Sequence, residues 1–181
     1  MDHVSPSLSF QLLMLIVMDD RHSSGSTGLP KPIFQTHSAA LRNYAKNFNL
    51  RGFITLPLFH AHGVSCLFRA IHSRKQIYVY GAHLPLTAAH LITTLKERDI
   101  GIFYGVPYAL KLLSEREEGL KLLARLELVM FGGSACPKPI GDKLVAQGVQ
   151  LISHYGKHTH NLTCTLPVAD DHVQAPRKQG S

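Results

Sequence analysis

The chain has 181 residues, 45% of them apolar and 17% charged, with a formal charge of +7. That balance excludes a disordered chain, which would be poorer in apolar residues, and the length allows one domain with a sizeable core. Cys66, Cys136 and Cys164 are odd in number and widely spaced, which excludes a disulfide framework and points to a reducing, cytoplasmic compartment.

The positive excess lies in residues 1–90, which hold eight Lys and Arg against three acids; residues 91–181 hold eleven against nine. No block of five or more basic residues occurs, so nucleic acid is not the expected partner and a small anionic ligand is. Leu8–Met18 is apolar apart from Ser9 and Gln11. Eleven residues are too few to span a bilayer, so no membrane span is expected. Asp2 before the stretch and Asp19-Asp20-Arg21 after it do not fit a signal peptide. A buried strand or short helix is expected, with a degenerate targeting segment as the alternative.

Next comes Ser23-Ser24-Gly25-Ser26-Thr27-Gly28-Leu29-Pro30-Lys31. Six of these nine residues are Ser, Thr or Gly. Glycines let the backbone approach a ligand without a Cβ in the way, and N–H groups, hydroxyls and a Lys suit a polyphosphate. The alternative is a flexible Ser/Gly loop. A P-loop NTPase motif is excluded, because that needs Ser or Thr directly after the Lys and Pro32 stands there.

Beyond this loop, strand and helix signals alternate. Ser38 through Phe48 suits a helix with Ser38 as N-cap, Phe53–Leu56 a strand, 64–72 a helix and Gln76–Tyr80 a strand. Thr87 can cap a helix to about Arg98, with Leu91, Ile92 and Leu95 on one face. Ile100–Tyr104 is the next strand, and Pro107 sits well at the start of a helix carrying Leu110, Leu112 and Leu113. Glu115, Glu117 and Glu118 suit a solvated helix face. Leu126–Phe131 is a strand broken by Gly132-Gly133, Pro137–Gln147 a helix closed by Gly148, and Val149–Ser153 a last strand. The predicted class is α/β, a mostly parallel sheet built of βαβ units. Ligands of such sheets bind outside the carboxyl ends of the strands. The turns Pro57–Gly63, Gly132–Pro137 and His154–Gly156 are therefore expected on one rim. Residues 157–181 show no convincing period and are expected to be an irregular tail.

Four segments, Ser23–Lys31, Pro57-Leu58-Phe59-His60-Ala61-His62-Gly63, Gly132-Gly133-Ser134-Ala135-Cys136-Pro137 and Tyr155-Gly156, follow one another as in the adenylate-forming enzymes. The chain over about 20–156 resembles the large domain of that superfamily, which includes acyl- and aryl-CoA synthetases, and most of all fungal peptide-synthetase-like adenylation domains. The resemblance implies a lead-in over 1–22, a partial AMP-binding domain over 23–156 and the tail over 157–181. It implies ATP or AMP and Mg²⁺ as cofactors, and a carboxylic acid and a thiol acceptor as partners. It places Ser23, Ser24, Gly25, Ser26, Thr27, Gly28 and Lys31 on the β- and γ-phosphates. It places Gly132, Gly133 and Ser134 between acyl pocket and adenine, Tyr155 with Gly156 on the adenine, and His60 on the acyl side.

The family continues from Tyr-Gly with a free residue, a Thr on the α-phosphate and a Glu on Mg²⁺. Here the chain reads Tyr155-Gly156-Lys157-His158-Thr159-His160. Thr159 is a displaced phosphate contact if one residue is inserted, but no carboxylate follows, and imidazole is a poor ligand for Mg²⁺. The later Thr-Gly-Asp and the catalytic Lys of the mobile C-terminal domain are also missing. Such a change after Gly156 is expected of a truncated or frame-altered gene product. Two readings stand: an acid–thiol ligase domain, and a non-catalytic relic or nucleotide- or partner-binding remnant. No zinc site is expected from His60, His62 and Cys66, or from His154, His158, His160 and Cys164, whose spacings match no zinc motif.

Overall fold

The computed structural model describes residues 21–22, 32–33, 37–58, 60–157 and 162–167. The lead-in Leu8–Met18, the run Ser23–Lys31, and Thr159 fall outside them. Two short strands, β1 (Arg21–His22) and β2 (Pro32–Ile33), pair antiparallel, and the Ser/Gly run joins them in sequence.

Helix α1 (His37–Ala45), strand β3 (Gly52–Ile54), helix α2 (Ala61–Ser73) and strand β4 (Ile77–Val79) follow. Then come α3 (Ala88–Glu97), β5 (Ile102–Gly105), α4 (Pro107–Ser114), α5 (Glu117–Arg125), β6 (Leu128–Gly132), α6 (Lys138–Ala146), β7 (Leu151–Lys157) and β8 (Leu162–Pro167). The main sheet has the order β4-β3-β5-β6-β7-β8; its first five strands are parallel and β8 is antiparallel to β7.

Strands β3, β5 and β6 are buried throughout, as a parallel sheet covered on both faces requires. Their side chains alternate between two cores. Phe53, Phe103, Val129 and Phe131 face one, closed by Leu91 and Leu95 of α3, Leu110 and Leu113 of α4, Leu123 of α5 and Leu144 of α6. Ile54, Ile102, Tyr104, Leu128 and Met130 face the other, with Cys66 of α2. Helix α1 lies on α2, where Tyr44 and Phe68 stack with centroids 5.1 Å apart. Each fully buried Leu or Phe contributes roughly 1.5–3 kcal/mol, so these two layers hold the sheet.

Local signals set most boundaries. Thr87 Oγ1 accepts from the His90 N–H and caps α3, and Pro107 occupies the first turn of α4. Gly148 takes φ +81° after α6. Helix α1 ends three residues before Phe48, because Asn47 Oδ1 accepts from the Asn49 N–H and Asn49 turns left-handed at φ 57°. Helix α2 begins at Ala61, earlier than the expected 64, and the helical signal after Pro107 divides into α4 and α5 at Glu115-Arg116.

The irregular tail expected over 157–181 is corrected in part. Lys157 ends β7, and residues 162–167 form β8, whose Leu162, Cys164 and Leu166 alternate with Thr163 and Thr165. That period-two pattern, paired with β7 from Lys157↔Leu162 to Ile152↔Pro167, is the physical reason for a strand there.

Candidate functional site

The strand order reverses between β3 and β5. From β3 the chain turns to α2 on one face of the sheet, and from β5 it turns to α4 on the other. This is the switch point at which doubly wound sheets open a crevice. The two strand ends are tied there, since Thr55 donates from its N–H (3.1 Å) and its Oγ1 (3.3 Å) to the Tyr104 carbonyl.

The turns after β3 and β6 meet at this edge beside His154 of β7; the turn expected over His154–Gly156 is instead strand, because β7 pairs with β8 as far as Lys157. The β3–α2 turn is closed by the His60 N–H donating to the Pro57 carbonyl at 3.0 Å. Gly63 seats α2 against that turn, since a Cβ there would lie 2.2 Å from the Pro57 oxygen. After β6, Gly132 is buried and Gly133 takes φ +90°, which an L side chain rarely adopts. Gly133, Ser134 and Ala135 are exposed. A Cβ on Gly132 would meet His62 Nδ1 at 2.6 Å and the His154 carbonyl oxygen at 3.1 Å. A Cβ on Gly133 would meet Val106, just after β5, at 4.0 Å.

Of the residues expected at the site, the structure thus brings His60, Gly132, Gly133 and Ser134 to one rim; His60 is exposed and precedes the first turn of α2. Tyr155 and Gly156 follow His154 on β7 and pair with Cys164 and Thr163. Ser23, Ser24, Gly25, Ser26, Thr27, Gly28, Lys31 and Thr159 lie outside the described residues.

Sequence reasoning missed a polar cluster beneath the rim. The His62 and His154 rings lie with centroids 4.3 Å apart and planes at 44°. His62 Nδ1, His62 Nε2 and His154 Nε2 are sealed from solvent without a hydrogen-bond partner. Burial lowers the His62 pKa to about 3, helped by His154 and by Arg69, about two turns along α2. Burial, and then Arg69, lowers that of His154 to about 4. Arg69 is 7% exposed. It donates to Ser65 Oγ (3.3 Å), to Asn43 Oδ1 (2.9 Å) and to the Lys46 carbonyl, so its partners among the described residues are neutral. Burial raises the pKa of the Cys66 thiol and the Tyr104 phenol, with the Arg69 charge opposing both shifts. Cys66 is therefore a protonated core residue and no nucleophile. Ninety-two positions separate His62 from His154, so only the fold joins them.

Magnesium requires oxygen ligands. No group of three or more His, Cys, Asp or Glu is placed to hold a metal among the described residues. Their carboxylates are Glu97 on α3, Glu117 and Glu118 on α5, Asp142 on α6, and Asp99, Glu115 and Glu127 outside the helices. The described residues therefore do not fit Mg²⁺.

A doubly wound sheet with glycine-rich turns gathered at its switch point defines an α/β ligand-binding domain. The family model of the AMP-binding enzymes matches residues 21–180, and the chain belongs to that family. It is 33% identical over 146 residues to the adenylate-forming reductase stbB of Stachybotrys bisbyi, covering 75% of this chain and 13% of that protein. It is 32% identical over 165 residues to the non-canonical non-ribosomal peptide synthetase ascB of Acremonium egyptiacum, covering 83% and 15%. The chain thus spans about a seventh of the length of these fungal relatives. Among solved structures, ATP- and magnesium-bound o-succinylbenzoate coenzyme A synthetase of Bacillus subtilis shares the fold with a TM-score of 0.65 at 21% identity, covering 82% of this chain and 32% of that one. ATP-bound MatB of Rhodopseudomonas palustris does so with a TM-score of 0.67 at 18% identity, covering 87% and 32%. No helix among the described residues is long and apolar enough to cross a membrane.

Proposed function

We propose that this chain forms the nucleotide- and acid-binding face of an adenylation domain akin to the acyl- and aryl-CoA ligases. The reaction is attack of a carboxylate oxygen on the α-phosphorus of ATP. A carboxyl O–P bond forms, the bond to the bridging oxygen breaks, and pyrophosphate leaves with an acyl-adenylate as product; a thiol then accepts the acyl group and AMP departs. Ser23, Ser24, Gly25, Ser26, Thr27, Gly28 and Lys31 would hold the β- and γ-phosphates, with donors and a cation where charge builds. Gly132, Gly133 and Ser134 would border the adenine and acyl compartments, Tyr155 and Gly156 the adenine, His60 the acid, and Thr159 a displaced phosphate contact. The observation that supports this reading most is the meeting of the β3 and β6 turns with His154 of β7 at one switch-point rim in a chain of this family. Free thiols at Cys66 and Cys136 are in keeping with a cytoplasmic setting.

One observation favours a second reading, nucleotide binding without turnover. The sequence after Tyr155-Gly156 is Lys157-His158-Thr159-His160, with no carboxylate for a metal. Acid-dependent exchange of labelled pyrophosphate into ATP separates the two. Exchange above background establishes the ligase reading. A rise in Tm with ATP and no exchange establishes the binding reading, and neither response overturns both.

A further inference from the structure

A buried charge is costly unless an opposite charge answers it. Arg69 is 7% exposed, yet it has no carboxylate partner among the described residues. A guanidinium carries five N–H donors. Nε donates to Ser65 Oγ, Nη1 to the Lys46 carbonyl and Nη2 to Asn43 Oδ1. A second N–H on each terminal nitrogen remains, and so does the whole positive charge.

Arg69 also lines a cavity of about 10 Å³, set between α2, the connection from α1 to β3, and the first residues of β3. Arg69 is the one charged residue in its lining among the described residues; Asn47, Asn49, Ser73 and Tyr104 are polar, and no carboxylate is present. Tyr104 is 5% exposed, and its hydroxyl has no hydrogen-bond partner among the described residues. Unlike the nitrogens of His62 and His154, that oxygen is not sealed from solvent. Gly52 makes room for the phenol on the cavity wall, since a Cβ there would lie 3.0 Å from the Tyr104 ring. Burial holds the phenol above its usual pKa, so it stays an O–H donor, and the Arg69 charge is near enough to oppose that shift.

We propose that this cavity binds one small monovalent anion of halide size, held by the Arg69 guanidinium and the Tyr104 hydroxyl. The single uncompensated charge matches a monoanion. The cavity has room for a particle of roughly a water molecule's size, which admits chloride and turns away phosphates and carboxylic acids. Charge-assisted hydrogen bonds from the guanidinium, with one from a neutral hydroxyl, are what such an ion accepts. The anion would tie the connection from α1 to β3 and helix α2 to Tyr104 of β5, so folding would be linked to chloride.

The test is urea denaturation at constant ionic strength, with sodium chloride replaced stepwise by sodium gluconate, whose anion is too large for the cavity. Once chloride exceeds its Kd, each ten-fold rise should raise the folded-to-unfolded ratio about ten-fold. Tyr104→Phe keeps the ring and removes the donor, and should move this response to about ten-fold higher chloride. Arg69→Met should abolish it; if that variant does not fold, Tyr104→Phe decides. Crystals grown in bromide should show an anomalous peak between Arg69 and Tyr104. Equal urea midpoints in chloride and gluconate would overturn the inference. So would a chloride response unchanged in Tyr104→Phe, which marks a general salt effect, or a cavity without bromide.

Discussion

Acidification should unfold this protein through His62 and His154, by an amount that follows from their burial. Both folded-state pKa values lie below the ordinary 6.5, at about 3 and about 4. Above 6.5 the folded and unfolded chains both hold these rings neutral. Between 6.5 and about 3 the unfolded chain takes up protons that the folded one refuses, so stability falls with pH across that window. At pH 5 the medium is 1.5 units below the unfolded pKa, and each unit is worth 1.36 kcal/mol. Each ring therefore removes about 2 kcal/mol relative to pH 7.5, and the pair about 4 kcal/mol, a large share of a typical domain's stability. Urea denaturation at pH 7.5 and pH 5 measures this directly. His154→Phe should cut the pH-dependent loss by about 2 kcal/mol and the double variant with His62→Phe by about 4. The same loss in the double variant as in the parent would refute the reasoning, since the protons would then be going elsewhere.

Other substitutions test the frame. Gly63→Ala puts a Cβ 2.2 Å from the Pro57 oxygen, and should lower stability by about 2–3 kcal/mol through displacement of the β3–α2 turn, read from the urea midpoint. Thr87→Ala removes the cap of α3 and should lower stability by about 1 kcal/mol in the same assay. Arg69→Met strips the Lys46 carbonyl and Asn43 of their donor; amide exchange should quicken over His37–Ala45 while α3 through α6 hold their protection, and a uniform change would contradict the brace. Gly132→Ala should be destabilising in the parent and much less so in His62→Ala, so a double-mutant cycle on Tm should show strong coupling.

Most of the architecture was legible because local chemistry and tertiary demand agree. The Thr87 cap, the Pro107 start, Gly148 after α6 and the apolar runs of β5 and β6 each have one local meaning, and the structure uses it. The break between α4 and α5 was not legible, because no Pro or Gly stands at Glu115-Arg116. Its trace is Gly119, where a Cβ would strike the Leu113 oxygen at 2.4 Å. Strand β8 did leave a signal, the alternation of Leu162, Cys164 and Leu166, hidden in a segment whose composition reads as tail. The rim was legible as turns after β3 and β6; the third expected turn, His154–Gly156, is strand because β8 pairs with it. The His62 and His154 imidazoles in contact beneath it were not, because their contact exists only once β7 lies beside β6 and α2 crosses the sheet.

The β7–β8 pairing also gives the rim a third dimension. The last bridge between β7 and β6 is Gly132↔His154, yet β7 continues through Tyr155, Gly156 and Lys157, which pair with β8 alone. Three residues at about 3.3 Å each make a two-stranded prow of roughly 10 Å beyond the sheet's edge. Two-stranded ribbons twist more than the sheets they leave, so this prow is aimed by its own backbone pairing and not by the parallel core. Thr163 and Cys164 therefore steer Tyr155 and Gly156 from outside every motif in the chain. A substitution in β8 would re-aim Tyr155 and Gly156 while leaving Gly132 where it is.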